Sequence, residues 1–207
     1  MATADPRIGI KTGYHHGDLR AQLLEAVRHL IEIKGNSDFS ISEASRLAGV
    51  SSGAPYKHFK DKPAIMKAVC FEAMNRKSSR MQSAIKDIPR GSIARIEALG
   101  RAYIDFAREE PGVFRLVYGM TEDHKDDEEL MKAGRDTLAI VVNAVADYLG
   151  ITPNHPEAAR RAYLLWCFVH GHSFLIIDDK ASVHQIPVDE NQMLAAVARG
   201  VLDQPVE

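Results

Sequence analysis

At 207 residues and 45% hydrophobic composition, the chain can bury a substantial core and falls between one large domain and two small ones. Cys70 and Cys167 are its only cysteines, far apart and without CxxC spacing; this excludes a disulfide scaffold, gives no zinc pattern, and leaves buried free thiols as the expectation. The net charge of −2 is uneven: residues 1–70 hold ten Lys and Arg against seven Asp and Glu, while the rest is acidic, so a weakly basic N-terminal module could meet a polyanion.

No apolar segment follows the opening MATADPRIGIKTGYHHG, and a cytoplasmic location is expected. β-Branched alternation is absent and apolar residues recur at helical spacing almost throughout, so the fold class is all-α. Leu19, Leu23, Ala26, Val27, Leu30 and Ile31 form the stripe of a first helix, which Gly35 closes as a C-cap. Ser40-Ile41-Ser42-Glu43 has the capping-box pattern and opens a short second helix with Ala44, Leu47 and Ala48 inward, ended by Gly49 and Val50. A short third helix is predicted from Ser51 or Ser52, whose hydroxyls can cap it; Pro55 is tolerated only in the first turn and favours Ser52.

A long helix then runs from Lys62 past Met81 to a break at Ile88-Pro89-Arg90-Gly91. Further helices are predicted from Ser92 to Glu109, Pro111 to Tyr118, Lys125 to Leu149, Pro156 to Ile177 and Asp189 to Leu202, about nine in all. The uncharged run AYLLWCFVHGHSFLII, Ala162 to Ile177, is 16 residues, short of the roughly 20 that span a bilayer, so it reads as a buried helix and no membrane partner is expected.

Two short helices joined by a tight Gly-containing turn, with a longer helix before them, match a helix-turn-helix, whose second helix enters the major groove. Small residues Ser51, Ser52, Gly53 and Ala54 permit close approach to DNA, Tyr56 and His58 carry polar tips suited to phosphate oxygens, and Lys57, Lys60 and Lys62 supply charge. Ala54 and Pro55 offer no side-chain hydrogen bond to a base edge, so the operator sequence is not readable. Lys11, Tyr14, His15 and His16 could serve as an arm to phosphate or the minor groove, or as a frayed tail.

Gly49-Val50-Ser51, Tyr56, His58-Phe59 and Lys62, preceded by ISEASRLAGV, closely resemble the N-terminal signature of the TetR family of transcriptional regulators, over roughly residues 14–70. The resemblance implies an N-terminal three-helix DNA-binding domain, residues 1–61, and a helical effector-binding and dimerisation domain, residues 62–207. It places Ser51, Ser52, Gly53, Tyr56, Lys57, His58 and Lys62 at DNA-contacting positions and Phe59 in the core. Trp166-Cys167-Phe168-Val169-His170-Gly171, with YIDFAREEPGVFRLVYG and YHHGDLR, resembles a TetR subgroup whose C-terminal domain carries a Trp-His-Gly pattern.

The run 156–177 is apolar nearly all round: Ala162, Trp166, His170 and Phe174 on one face, and Leu165, Phe168, Val169, Leu175 and Ile176 on others. With Met193, Leu194, Val197 and Val201 on the last helix, this predicts a homodimer through the last two helices and hence a palindromic duplex operator. Phe106, Phe114, Tyr118, Trp166, His170 and Phe174 read either as walls of a small-molecule effector pocket or as packed core. Cys167 and His170 share a helix face from which His172 turns away, so no metal is expected, nor any cofactor. There is no G-x-S-x-G or HExxH, which leaves a helical hydrolase a remote alternative to a non-enzymatic regulator. The expected function is a repressor released from DNA by its effector; an activator or an effector-independent DNA-binding protein is the alternative.

Overall fold

A computed structural model of the protein describes residues 19–119, 127–180, 185, 187 and 189–206. Among them are eight α-helices and no strand: α1 (Leu19–Lys34), α2 (Ile41–Leu47), α3 (Lys62–Ala84), α4 (Ile93–Glu109), α5 (Pro111–Gly119), α6 (Glu128–Leu149), α7 (Pro156–Ile177) and α8 (Glu190–Leu202). A single 3₁₀ turn, Pro55–Lys57, lies between α2 and α3. The all-α architecture and most predicted boundaries hold. Positions 125 and 126, at the predicted start of α6, lie outside the described residues, as do Lys11, Tyr14, His15 and His16.

Local chemistry accounts for the helix ends. The predicted capping box forms: Ser40 Oγ accepts from the Glu43 N–H at 3.1 Å and the Glu43 carboxylate accepts from the Ser40 N–H at 3.5 Å. Gly49, at φ +70°, ends α2 in a Schellman arrangement, with Gly49 N–H donating to the Arg46 carbonyl and Val50 N–H to that of Ser45. Asp61, Asp127 and Asp189 each cap a helix N-terminus, accepting from Ala64, Leu130 and Gln192.

Three expectations fail here. No third α-helix forms, and neither Ser51 nor Ser52 caps one; the 3₁₀ turn starts after Ala54 without a side-chain cap. A helix capped by Ser51 would need its first bond from the nitrogen of residue 55, a proline without an N–H. Instead the Ser51 carbonyl takes the Ala54 N–H at 3.0 Å. On α2, Leu47 is exposed and Ser45 takes the inward place, its hydroxyl satisfied by the Ile41 carbonyl at 2.8 Å. Cys167 is exposed, whereas Cys70 is buried and its thiol is pushed up to about 12 by burial.

One core runs from the N-terminal helices into the body: Leu23, Val27, Phe39, Ala44 and Phe59 are continuous with Ile65, Tyr103, Phe106 and Phe114. A second core farther along α3 joins Met81, Leu99, Val145, Ala162 and Leu202. The long α3 packs on α4 and α6, and α7 packs on α4, α6 and α8. Arg161, fully buried on α7, donates to the carbonyls of Leu202, Gln204 and Pro205, tying the end of α8 to the body.

Helix α1 packs against α5. Glu32 accepts from the Gly112 and Val113 N–H groups, both at 2.9 Å, so its carboxylate caps the N-terminus of α5. At Gly112 a Cβ would stand 2.6 Å from the Ile31 carbonyl oxygen, which is why glycine occupies this approach.

Candidate nucleic-acid interface and ligand cavity

The segment 51–62 is a surface built on a buried base. Ser51, Ser52, Gly53, Tyr56, Lys57 and His58 are exposed, Tyr56 at 60%, while Pro55 and Phe59 are buried. Ala54 departs from the expected DNA-facing set: it is 9% exposed, on the buried side of the turn with Pro55, because the 3₁₀ turn follows it directly. Lys62 opens α3 with its Nζ 4.4 Å from the Phe39 ring centroid, and the Arg20 guanidinium lies 5.6 Å from that of Phe59. The two rings that close the N-terminal core thus each carry a cation on their outer side. The described part of the predicted surface therefore gathers Ser51, Ser52, Gly53, Tyr56, Lys57, His58 and Lys62 around the start of a 23-residue helix.

Further along α3, helices α3 to α8 line a cavity of about 360 Å³. Of the six aromatic residues expected as its walls, only Tyr118 and Trp166 line it. Phe106, Phe114, His170 and Phe174 stand behind it. Phe106 and Phe114 are fully buried core, and Phe114 sits at the centre of a ring cluster, with centroids of Tyr118 at 4.8 Å, Phe174 at 5.3 Å and His170 at 5.8 Å. Edge-to-face and tilted contacts of this kind fill the space that a ligand would need.

Sequence reasoning missed lining residues on α3, α4, α6, α7 and α8. Met74, Lys77 and Met81 line the cavity with Leu99 and Tyr103. The signal was present: Cys70, Met74, Lys77 and Met81 recur at helical spacing, which puts a lysine within an apolar stripe. Lys77 is 3% exposed, donates to the Tyr118 hydroxyl at 2.5 Å, and lies 4.9 Å from the Tyr118 ring centroid and 5.2 Å from that of Tyr103. Tyr103 in turn accepts from Trp166 Nε1–H at 3.2 Å and meets His170 Nδ1 at 2.9 Å. Burial, and to a lesser degree the Lys77 charge, push the His170 imidazole below its ordinary pKa, which favours the neutral ring beside the Tyr103 hydroxyl. Burial pushes the Tyr103 phenol upward, so that it stays protonated.

The sequence pattern of the tetracyclin repressor-like C-terminal domain matches residues 96–201, which span α4 to α8. The chain belongs to the TetR family. A solved structure of a protein of unknown function from Rhodococcus sp. RHA1 shares the fold, 26% identical, covering 93% of this chain and 98% of that one at a TM-score of 0.76. FadR from Bacillus subtilis, solved in complex with stearoyl-CoA, shares the fold at 14% identity and a TM-score of 0.67, covering 88% and 97% of the two chains. In sequence, the nucleoid occlusion factor SlmA of Marinomonas sp. (strain MWYL1) is 26% identical over 100 residues, 48% of this TetR chain and 50% of that protein. The chain thus matches about half the length of this curated relative. Among the described residues no group of His, Cys, Asp and Glu could hold a metal ion, and no helix is long and apolar enough to cross a membrane.

Proposed function

We propose that the chain is a cytoplasmic, homodimeric DNA-binding transcriptional regulator, a repressor that leaves its operator when a small molecule fills the cavity. The observation that carries this reading is the sharing of α3. Lys62 at its start stands beside the exposed 51–58 surface, and Lys77 on the same helix lines the cavity, ~22 Å away along the axis. A shift of α3 on ligand binding moves the DNA-facing segment with it. In a two-fold dimer this changes the spacing of two such segments, and both half-sites can no longer be met together.

In this reading residues 1–61 contact DNA and 62–207 bind effector and dimerise. Ser51, Ser52, Gly53, Tyr56, Lys57, His58 and Lys62 face the duplex, with Tyr56, His58 and Lys62 on phosphates. Lys11 and Tyr14, ahead of α1 in the sequence, are assigned as an arm to phosphate or the minor groove on the chemistry of their side chains. The dimer face is the outer side of α7, where Tyr163, Leu164, Cys167, Gly171 and Leu175 are exposed without an intervening charge, together with α8. A Cβ at Gly171 or Gly200 would meet nothing within 4 Å, leaving room for a partner helix to approach.

The test is the mobility of duplex DNA from immediately upstream of the chain's own coding sequence, at low salt. The full chain is expected to shift it. Lys62→Ala should weaken binding and lower the salt slope by about one. Tyr56→Phe should weaken it without altering the thermal midpoint. No shift by the wild-type chain, together with unchanged cellular DNA occupancy in the double variant, would defeat the proposal.

A further inference from the structure

The cavity wall is largely apolar, and Lys77 meets two tyrosines on it. The cations next to it on α3 are matched, Arg76 with Glu110 and Arg80 with Glu109. Lys77 is not: among the described residues no carboxylate lies within ion-pair distance of it, and its hydrogen bond goes to a neutral phenol. An ammonium has three donors, so donor capacity remains at the cavity wall. A buried charge without a counter-charge weighs against the fold, and a methionine like its neighbours Met74 and Met81 would fill the same stripe without that penalty. The cost of burying the cation is therefore borne by the empty protein and is recovered when an anion arrives.

Neither the tyrosines nor His170 supplies that anion. The Tyr103 phenol stays protonated, burial favours the neutral His170 ring, and Tyr118 is the acceptor for Lys77. The other polar groups lining the cavity are already engaged: Thr137 donates to the Ala133 carbonyl at 2.8 Å, and Arg135 pairs with Glu128. The remaining wall is aliphatic, thioether and aromatic, including Met74, Leu99, Leu138 and Val169.

We infer that the ligand of this cavity is an amphipathic carboxylate, with a hydrocarbon body against the apolar wall and its carboxylate paired to Lys77. The inference rests on the proposed sensor role of the cavity and narrows its effector to one chemical class. A charge-assisted hydrogen bond from a largely buried ammonium sets the carboxylate apart from neutral molecules of the same skeleton.

The experiment is calorimetric titration of the full-length chain, without DNA, with octanoate and 4-phenylbutyrate, each beside its amide and methyl ester, and with octylamine. At least one carboxylate is expected to bind ~10–100-fold more tightly than its amide. Lys77→Gln should abolish that preference and leave the amide affinity within a few-fold. Lys77→Met gives a second route to the same readout, and the wild-type ranking alone decides if neither variant folds. A wild-type preference for amide, ester or amine, retention of the carboxylate preference in either Lys77 variant, or no binding of either acid at ~1 mM would overturn the inference. Because DNA is absent, these outcomes are separate from the regulator reading: a chain that holds octanoate through Lys77 yet shifts no DNA fails only as a regulator.

Discussion

At the start of α3 the polar groups lie outside and the rings inside: Tyr56 and the lysines reach solvent over Phe39 and Phe59. At the cavity the order is reversed, and a single lysine is enclosed by tyrosines, methionines and aliphatic side chains. The first arrangement suits a long polyanion, approached from water and released by salt. The second suits a small molecule that must leave water to bind, so selectivity there comes from one buried charge. In the proposed reading the same residue type is a reversible surface contact at one end of α3 and a specificity element at the other.

Large stability effects belong to the cavity end. Phe114→Ala, at the centre of the ring cluster, should cost ~3–5 kcal/mol in denaturant unfolding. Tyr56→Ala, exposed and outside any core, should change stability by less than ~0.5 kcal/mol while weakening DNA binding. Equal effects of the two would erase the contrast between the ends. Gly112→Ala tests what joins them. Its Cβ would press on the Ile31 carbonyl, and overpacking at the α1–α5 contact should cost ~1–3 kcal/mol, read as a fall in thermal midpoint.

Much of this was legible beforehand because it depends on local rules. The capping box at Ser40, glycine caps at Gly35 and Gly49, and the proline breaks all act within a few residues, and helices followed them. What escaped depended on packing between distant helices. Phe106, Phe114 and Phe174 cannot be told from pocket walls by periodicity, since core and wall are equally apolar; only the neighbouring elements decide. Lys77 was passed over because a lysine on a helix is usually solvated, although its place between Met74 and Met81 marked it as inward. Where the third helix was predicted, the Ala54 N–H goes to the Ser51 carbonyl and the chain makes only the 3₁₀ turn Pro55–Lys57.

Two smaller effects lie at a helix cap and at a carboxylate held by two arginines. Ser40→Ala removes the acceptor of the Glu43 N–H and should cost ~1 kcal/mol, shifting the thermal midpoint downward. At the far end, hydrogen bonds from Arg160 and then Arg161 hold the Glu157 carboxyl down to about 2, below its ordinary 4.5. A carboxyl depressed in the fold stabilises above its unfolded value and loses that contribution as pH falls from 4.5 towards 2. Over that window the thermal midpoint of the wild type should therefore fall further than that of Glu157→Gln.

Whether the surface around Tyr56 and Lys62 reads duplex DNA as one half of a symmetric pair is decided by selecting bound sequences from random duplexes with the full chain. The expected result is enrichment of a two-fold-symmetric site, lost in Lys62→Ala combined with Tyr56→Phe. Recovery of no shared sequence, or of a site still selected by the double variant, would contradict it.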